Sequence, residues 1–374
     1  PDQNRMENRM VCRDRQTAFL PRLAQGVSCL ILMKAVLGLE DGTFVVGKGF
    51  GVEGICSGEL VFSTQMTGYM EALTDPGYAG QILMFTYPLI GNYGVDYQNF
   101  ESSRVHARGC VTREISRTPT TQPSVAEYFE ENNLLGISGV DTRSLTIKTR
   151  TAGTLRASLI VGSDDGNEAI RLARATPVIS DVDLIGTVSC RESYHISGSG
   201  KRIAVIDLGV KRRILASLGQ RDADIHVFPH TAAADEVMAV RPDAVLISNG
   251  PGDPRKAVEA IWCVRDLAGE VPVIGICMGI QVVALALGGE TYKMRFGHRG
   301  MNQPVRYRDG SISITTQNHG FAVDGETLPE GCVVSYQNVN DGTVEGFEES
   351  DLSITCVQFH PEAHFFDRIS REIP

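Results

Sequence analysis

No apolar run in this sequence approaches the roughly 20 residues that cross a bilayer, because the stretch at 27–33 is broken by Lys34. A spanning helix is excluded and a soluble protein is expected. Runs of Lys and Arg are missing too. With a formal charge of −10 and 21% charged residues, the chain lacks the basic track that follows a phosphodiester backbone, so nucleic acid is not an expected partner. The nine cysteines are odd in number and scattered. Without a Cys-x-x-Cys pair or a Cys/His spacing suited to zinc, they predict neither a disulfide framework nor a metal site. A reducing, cytoplasmic setting follows as the expectation. A G-x-x-x-x-G-K-[ST] phosphate loop is absent, so nucleotide chemistry of that type is not placed on this chain. There is no internal repeat or low-complexity tract.

At 374 residues the chain is long enough for two domains, each with its own core. Residues 1–32 are rich in Arg, Asn and Gln before a short apolar stretch, and read as a tail or upstream extension. A targeting segment is disfavoured because Asp2, Glu7 and Asp14 interleave with the positive charges and no small-x-small cleavage signal follows. From 33 to 190 short β-like runs at 34–39, 43–46, 59–62 and 81–86 alternate with Gly and polar turns, and helices are expected at 124–132 and 167–175, the latter ending before Pro177. Residues 191–201 are polar, Gly/Ser-rich and aperiodic, and are assigned as a linker. Between 202 and 374 continuous apolar runs at 202–208, 224–228, 243–248 and 271–276 alternate with helical segments. Strands apolar on both faces imply a parallel sheet covered by helices. The predicted fold is α/β: a strand-rich amino-terminal domain followed by a doubly wound, mostly parallel domain, with active-site loops at the carboxyl ends of strands.

The strongest local signal is Gly275-Ile276-Cys277-Met278-Gly279-Ile280-Gln281, between an apolar run and a helix-like segment at 282–287. It has the form of a nucleophile elbow with Cys in place of Ser, small residues on either side allowing a sharp turn. Helix N-terminal N–H groups favour a thiolate and would lower the thiol from its usual value of about 8.5. The same groups, from Met278 and Gly279, can receive an oxyanion. The bland alternative is a small buried cysteine.

A thiolate nucleophile needs an imidazole to carry a proton to the leaving nitrogen. His360 ends a β-like run at 353–359, and Glu362 follows two residues later, on the same side of an extended chain. Glu362 can hold one imidazole nitrogen while the other faces Cys277; alone, His-Pro-Glu is more often a surface turn. The segment Ser248-Asn249-Gly250-Pro251-Gly252-Asp253-Pro254 reads either as a tight turn or as a pocket wall whose Gly252 N–H is an oxyanion donor. Gln317-Asn318-His319-Gly320-Phe321, at the end of a β-like run, offers polar groups to an amino-acid ligand, with His319 itself more often structural.

Together these motifs resemble the class I, or triad, glutamine amidotransferases, with Cys277, His360 and Glu362 matching the Cys-His-Glu triad. The other half narrows the resemblance. Val61-Phe62-Ser63-Thr64-Gln65-Met66-Thr67-Gly68-Tyr69, Leu73-Thr74-Asp75-Pro76, Tyr87-Pro88-Leu89-Ile90-Gly91-Asn92 and Gly139-Val140-Asp141-Thr142-Arg143 look like the amino-terminal domain of carbamoyl phosphate synthetase small subunits. The likeness runs from about 33 to 363. It implies that Gly250, Gly252, Met278, Gln281, Asn318, Gly320 and Phe321 bind glutamine. It also implies that the ammonia released passes to a large subunit, which combines it with bicarbonate using ATP and magnesium bound there and not on this chain. Three departures stand out: Ile280 where many relatives have His, Gln65 where many have Ser, and a brief segment after Ala363. Competing readings are the glutaminase of another pathway, such as anthranilate or guanylate synthesis, a cysteine peptidase or γ-glutamyl hydrolase, and a catalytically silent scaffold.

Overall fold

The computed structural model describes residues 33–361. The expectations for residues 1–32, for Glu362 and for the segment after Ala363 fall outside the described residues.

The chain opens with an antiparallel pair, β1 (Met33–Leu39) and β2 (Phe44–Gly51), followed by β3 (Gly54–Ser63). A short helix α1 (Tyr69–Thr74) leads to β4 (Gln81–Phe85). Next come β5 (Leu89–Ile90), β6 (Gly109–Val111), β7 (Glu114–Ile115), helix α2 (Val125–Glu131) and β8 (Leu135–Ser138). Helix α3 (Thr142–Ala152), β9 (Leu155–Val161) and helix α4 (Gly166–Ala175) complete this part. Seven of these strands close into a barrel in the order β1-β2-β8-β6-β4-β3-β9, while β5 and β7 form a separate ribbon. Alternation along the barrel strands divides their side chains between two cores. Leu60, Ile82 and Leu159 enter one, whereas Val61, Leu83 and Phe85 enter another together with α1 and α2. Helix starts are set by side-chain caps. Ser124 and Glu127 form a reciprocal capping box on α2, and Asp141 and Asp165 accept backbone N–H groups at the starts of α3 and α4.

The remaining strands form one ten-stranded sheet. In chain order they are β10 (Tyr194–Ile196), β11 (Arg202–Asp207), β12 (Asp224–Pro229), β13 (Ala244–Ile247), β14 (Val273–Ile276), β15 (Glu290–Tyr307), β16 (Ile312–Asp324), β17 (Cys332–Asn338), β18 (Val344–Glu349) and β19 (Ile354–Val357). Helices α5 (Arg212–Gly219), α6 (Ala234–Met238), α7 (Val258–Leu267) and α8 (Met278–Ala286) connect them. The spatial order is β10-β12-β11-β13-β14-β19-β18-β17-β15-β16. Strands β12, β11, β13, β14 and β19 are mutually parallel and almost wholly apolar. Two cores cover their faces: Ala204, Val245 and Val273 join one with α7 and α8, and Val205, Leu246 and Ile274 join the other with α5.

An antiparallel flank of β18, β17, β15 and β16 extends this parallel centre. The long β15–β16 hairpin carries register shifts between Lys293 and His298 and between Gly300 and Gln303. These bend it, and an isolated bridge joins Thr316 of β16 to His360 just beyond β19. Strand β16 thereby returns over the carboxyl end of the parallel centre. Within residues 191–201, assigned as a linker, Tyr194–Ile196 form a strand that pairs with β12. One local expectation is corrected. Gln317–Phe321 do not end a strand but lie inside β16, whose polar residues hid its continuation. Among the described residues no helix is long and apolar enough to cross a membrane.

Candidate active site

Cys277 stands between β14 and the first residue of α8, with φ 57° and ψ −105°. A non-glycine residue in that region is strained, and the packing around it holds the strain in place. A Cβ added to Gly279 would lie 2.1 Å from the Ile247 carbonyl oxygen, and one on Gly275 would lie 2.8 Å from both Cys356 Sγ and the Gly279 carbonyl carbon. Only hydrogen at these two positions lets α8 press against β13 and β14. The Cys277 N–H donates to Val357 O at 2.9 Å, and its Sγ donates to Asn318 O at 3.5 Å. Cys277 is 3% exposed.

This burial reverses one expectation. Loss of solvent pushes the thiol up to about 12, although the charge of Lys211 and the Met278 N–H both favour the thiolate. The helix-terminal effect is present but smaller than desolvation.

His360 is held by its backbone N–H, which donates to Thr316 O at 2.8 Å. Burial, and then the charge of Lys211, pushes its imidazole down to about 3. Neither ring nitrogen has a hydrogen-bond partner among the described residues. Buried polar atoms are rarely left so, and the position that could supply an orienting carboxylate, Glu362, is not among the described residues.

One cavity collects the other expected residues. Gly250, Gly252, Cys277, Met278, Gln281, Asn318, Gly320 and Phe321 all line it. Gly252 adopts φ 86°, a left-handed conformation that glycine takes without steric cost. Two side chains on this surface are already engaged. Gln281 Nε2 donates to Phe321 O at 2.8 Å and to Gln358 Oε1 at 2.9 Å, and Asn318 Nδ2 donates to Asp75 Oδ2 at 2.9 Å. Their roles as they stand are to hold β16 and the barrel loop in place. Ile280 is fully buried in the apolar core under α8. Gln65 bonds within its own loop, Nε2 donating to Gly68 O at 2.6 Å, and does not line the cavity.

Charged groups from the barrel and from the ten-stranded sheet meet at this site. Asp75 is fully buried, and its carboxylate receives Lys211 Nζ at 2.8 Å, Asn318 Nδ2 at 2.9 Å and the Gly77 N–H at 2.8 Å. Burial works to raise the Asp75 carboxyl, yet the Lys211 charge and these bonds hold it below its ordinary value. Burial likewise works against the Lys211 ammonium, and Asp75 with Glu101 keeps it above its ordinary value. The pair is therefore ionised on both sides. Asp75 and Lys211 stand outside the cavity lining, whereas Glu59, paired with Lys293, and the buried Arg299 line it. Asp75 was visible within Leu73-Thr74-Asp75-Pro76, but its partner, 136 positions away, was not.

His319 also lines the cavity and is neutral, burial holding it well below its ordinary value, with Nδ1 2.9 Å from Phe321 O. His298 lies with Nε2 2.9 Å from Asp341 Oδ2 and Nδ1 3.3 Å from Glu345 Oε1. Burial opposes its charge, but these two carboxylates raise it to about 9. Asp207, the last residue of β11, caps its own loop by accepting from the N–H groups of Gly209 and Val210.

Residues 204–366 match the family described as glutamine amidotransferase class-I, and residues 37–159 match the carbamoyl-phosphate synthase small chain, CPSase domain. The carbamoyl phosphate synthase small chain of Methanosarcina acetivorans is 52% identical over 345 residues, spanning 88% of this chain and 94% of that protein. The small chain of Archaeoglobus fulgidus is 46% identical over 349 residues, spanning 90% and 98%. That of Clostridium acetobutylicum is 44% identical over 336 residues, spanning 88% and 95%. With both parts of the chain matched in order, and relatives aligned across nearly their whole length, the chain belongs to the carbamoyl phosphate synthase small-chain family and carries a class I glutamine amidotransferase domain.

Proposed function

We propose that this chain hydrolyses glutamine through a Cys277 thioester and passes the ammonia to a carbamoyl phosphate synthase large subunit. The observation that carries the reading is the strained strand-to-helix turn that presents Cys277 to a cavity lined also by Gly250, Gly252, Gln281, Asn318 and Phe321. Charges of both signs, Glu59 against Lys293 and Arg299, stand in the same wall, which suits a zwitterionic amino acid.

In this reading the Cys277 proton passes to His360 as Sγ attacks the amide carbon of glutamine. The Met278 and Gly252 N–H groups receive the developing oxyanion, and each such donor is typically worth about 10²- to 10³-fold in rate. As the carbon–nitrogen bond breaks, His360 returns the proton to the leaving nitrogen and ammonia departs. A water molecule then loses a proton to His360 and attacks the thioester, which releases glutamate and restores the thiol. Glu362 orients the imidazole. The chemistry calls on this chain's own side chains, while ATP and magnesium act on the large subunit, in the cytoplasm. No nucleic acid takes part. The segments 33–190 and 202–374 act respectively as docking and glutaminase domains.

The test is reconstitution with the large subunit, assaying carbamoyl phosphate formation from glutamine and from ammonium salts. Cys277→Ser should abolish the glutamine-dependent reaction and leave the ammonia-dependent one. Equal loss of both, or no association with the large subunit, would overturn the proposal.

A further inference from the structure

Strand β10 is short and poorly covered: Tyr194 and His195 are exposed and Ile196 is only half-buried. Three residues at a sheet edge bury little apolar surface with which to hold themselves in place. The same strand nevertheless takes part in a concentrated set of metal-binding groups. Its antiparallel register puts His195 directly opposite His226 of β12. Their rings stack with centroids 4.3 Å apart and planes inclined by 24°. Asp224 lies two residues before His226, on the same face of β12. The carboxylate is 2.5 Å from His195 Nε2 through Oδ1 and 3.4 Å from His226 Nε2 through Oδ2. One donor atom from each of the three residues lies within 4.8 Å of the other two.

We infer that His195, Asp224 and His226 bind a divalent transition-metal ion of the zinc type, which fastens β10 to the sheet. Zinc binds nitrogen and carboxylate oxygen at about 2.0–2.2 Å in tetrahedral geometry, which places neighbouring ligand atoms roughly 3.3 Å apart. The separations of 2.5 and 3.4 Å lie either side of that value, so side-chain adjustment alone can admit the ion. Two imidazoles with one carboxylate favour zinc over the hard cations magnesium and calcium, which prefer all-oxygen shells. The fourth position is open to water.

Support from behind is in place. Arg202 Nε donates to Asp224 Oδ2 at 2.9 Å, and Arg202 Nη1 donates to Val240 O at 2.7 Å, so the carboxylate is held by a guanidinium that is itself anchored. Such outer partners fix the direction of a ligating carboxylate. The guanidinium charge also lowers the attraction for a cation, which makes this a site of modest affinity. None of the three ligands lines the cavity that holds Cys277, so the metal acts on the fold and not on glutamine. The spacing of 195, 224 and 226 carries no sequence signature because strand pairing, not local turn geometry, brings the groups together.

The test uses the full chain, stripped with a chelator and titrated with Zn²⁺ alone in competition with a chromophoric chelator. Because the cysteines also take up zinc, the reading is the difference between wild type and His195→Gln, whose exposed position tolerates exchange without unfolding. His195→Gln is expected to lose one equivalent, or to bind it at least about tenfold more weakly, and His226→Gln to behave alike. Zn²⁺ should raise the melting temperature of wild type and not of His195→Gln. Wild-type stoichiometry and affinity in His195→Gln, or a melting temperature that responds equally in both, would overturn the assignment. So would a wild type in which the two imidazoles share only protons with Asp224 and bind no Zn²⁺.

Discussion

At pH 7 the Cys277 thiol, pushed up to about 12, and the His360 imidazole, pushed down to about 3, are both neutral. Proton transfer between them therefore needs help, and the charge that most favours the Cys277 thiolate is Lys211. Lys211 is itself held by Asp75 in a buried ion pair. Replacing Lys211 with Met strands a buried carboxylate, a change that typically costs about 3–5 kcal/mol. Denaturant unfolding should show that loss, and Lys211→Met with Asp75→Asn should recover most of it because no uncompensated charge remains. Glutamine hydrolysis should stay low in both variants, since neither restores a positive charge near the sulfur. Wild-type stability in the single variant would show that the pair is not needed, and activity recovering together with stability would remove Lys211 from the account of the thiolate.

Among the elements, the β14–α8 junction depends on its glycines. Gly279→Ala sets a methyl group against the Ile247 carbonyl, a backbone atom that cannot swing aside. Overpacking of this kind costs about 1–3 kcal/mol, and the helix shift that relieves it moves Cys277, where a misplacement of about 1 Å can lower turnover roughly 100-fold. Gly219, at the end of α5, is the control: nothing lies within 4 Å of an added Cβ there. Gly219→Ala should stabilise by about 0.4–1 kcal/mol through the unfolded chain. The comparison is read from urea midpoints, and equal effects at the two sites would contradict the packing argument.

The junction at Cys277 was legible in the sequence because strand, turn and helix are contiguous and each is encoded locally. The same holds for β11, β13 and β14, whose uninterrupted apolar runs are too short for a buried helix and so read as buried strands. Strand β16 escaped because its pattern mixes Thr315, Gln317, Asn318 and His319 into buried positions, where pairing with β15 and contact with the barrel override the expected alternation. The Asp75–Lys211 pair and the His195–Asp224–His226 cluster escaped for a related reason. Their members meet only after strands far apart in sequence have found their neighbours.

For the whole molecule, the histidines predict a stability curve with a maximum near neutrality. His106, pushed down to about 4 by burial and then by Arg104, is neutral in the fold, as are His319 and His360. In the unfolded chain each titrates near 6.5. Below that pH the unfolded state binds more protons, so stability falls as pH drops toward about 4 for His106 and about 3 for His360. His298 acts in the opposite sense. Raised to about 9, it contributes stability that is complete below 6.5 and is lost as pH rises through 9. Unfolding midpoints measured from pH 4 to 10 should peak between about 6 and 7, and His298→Gln should flatten the alkaline side. A curve that climbs without interruption from 7 to 9 would be inconsistent with a protonated His298.

The buried bond from Lys211 to Asp75 joins the small-chain half of the molecule to its amidotransferase half, and Asn318 braces the same carboxylate. Its consequence reaches into heredity. Positions 75 and 211 must pass down as a unit, because a recombination event that imports a barrel with a neutral residue at 75 leaves an ammonium ion sealed in the protein beside the nucleophile. A crossover between the two halves is tolerated only where both parents carry the same pair, so this seam restricts which natural or laboratory chimeras can survive.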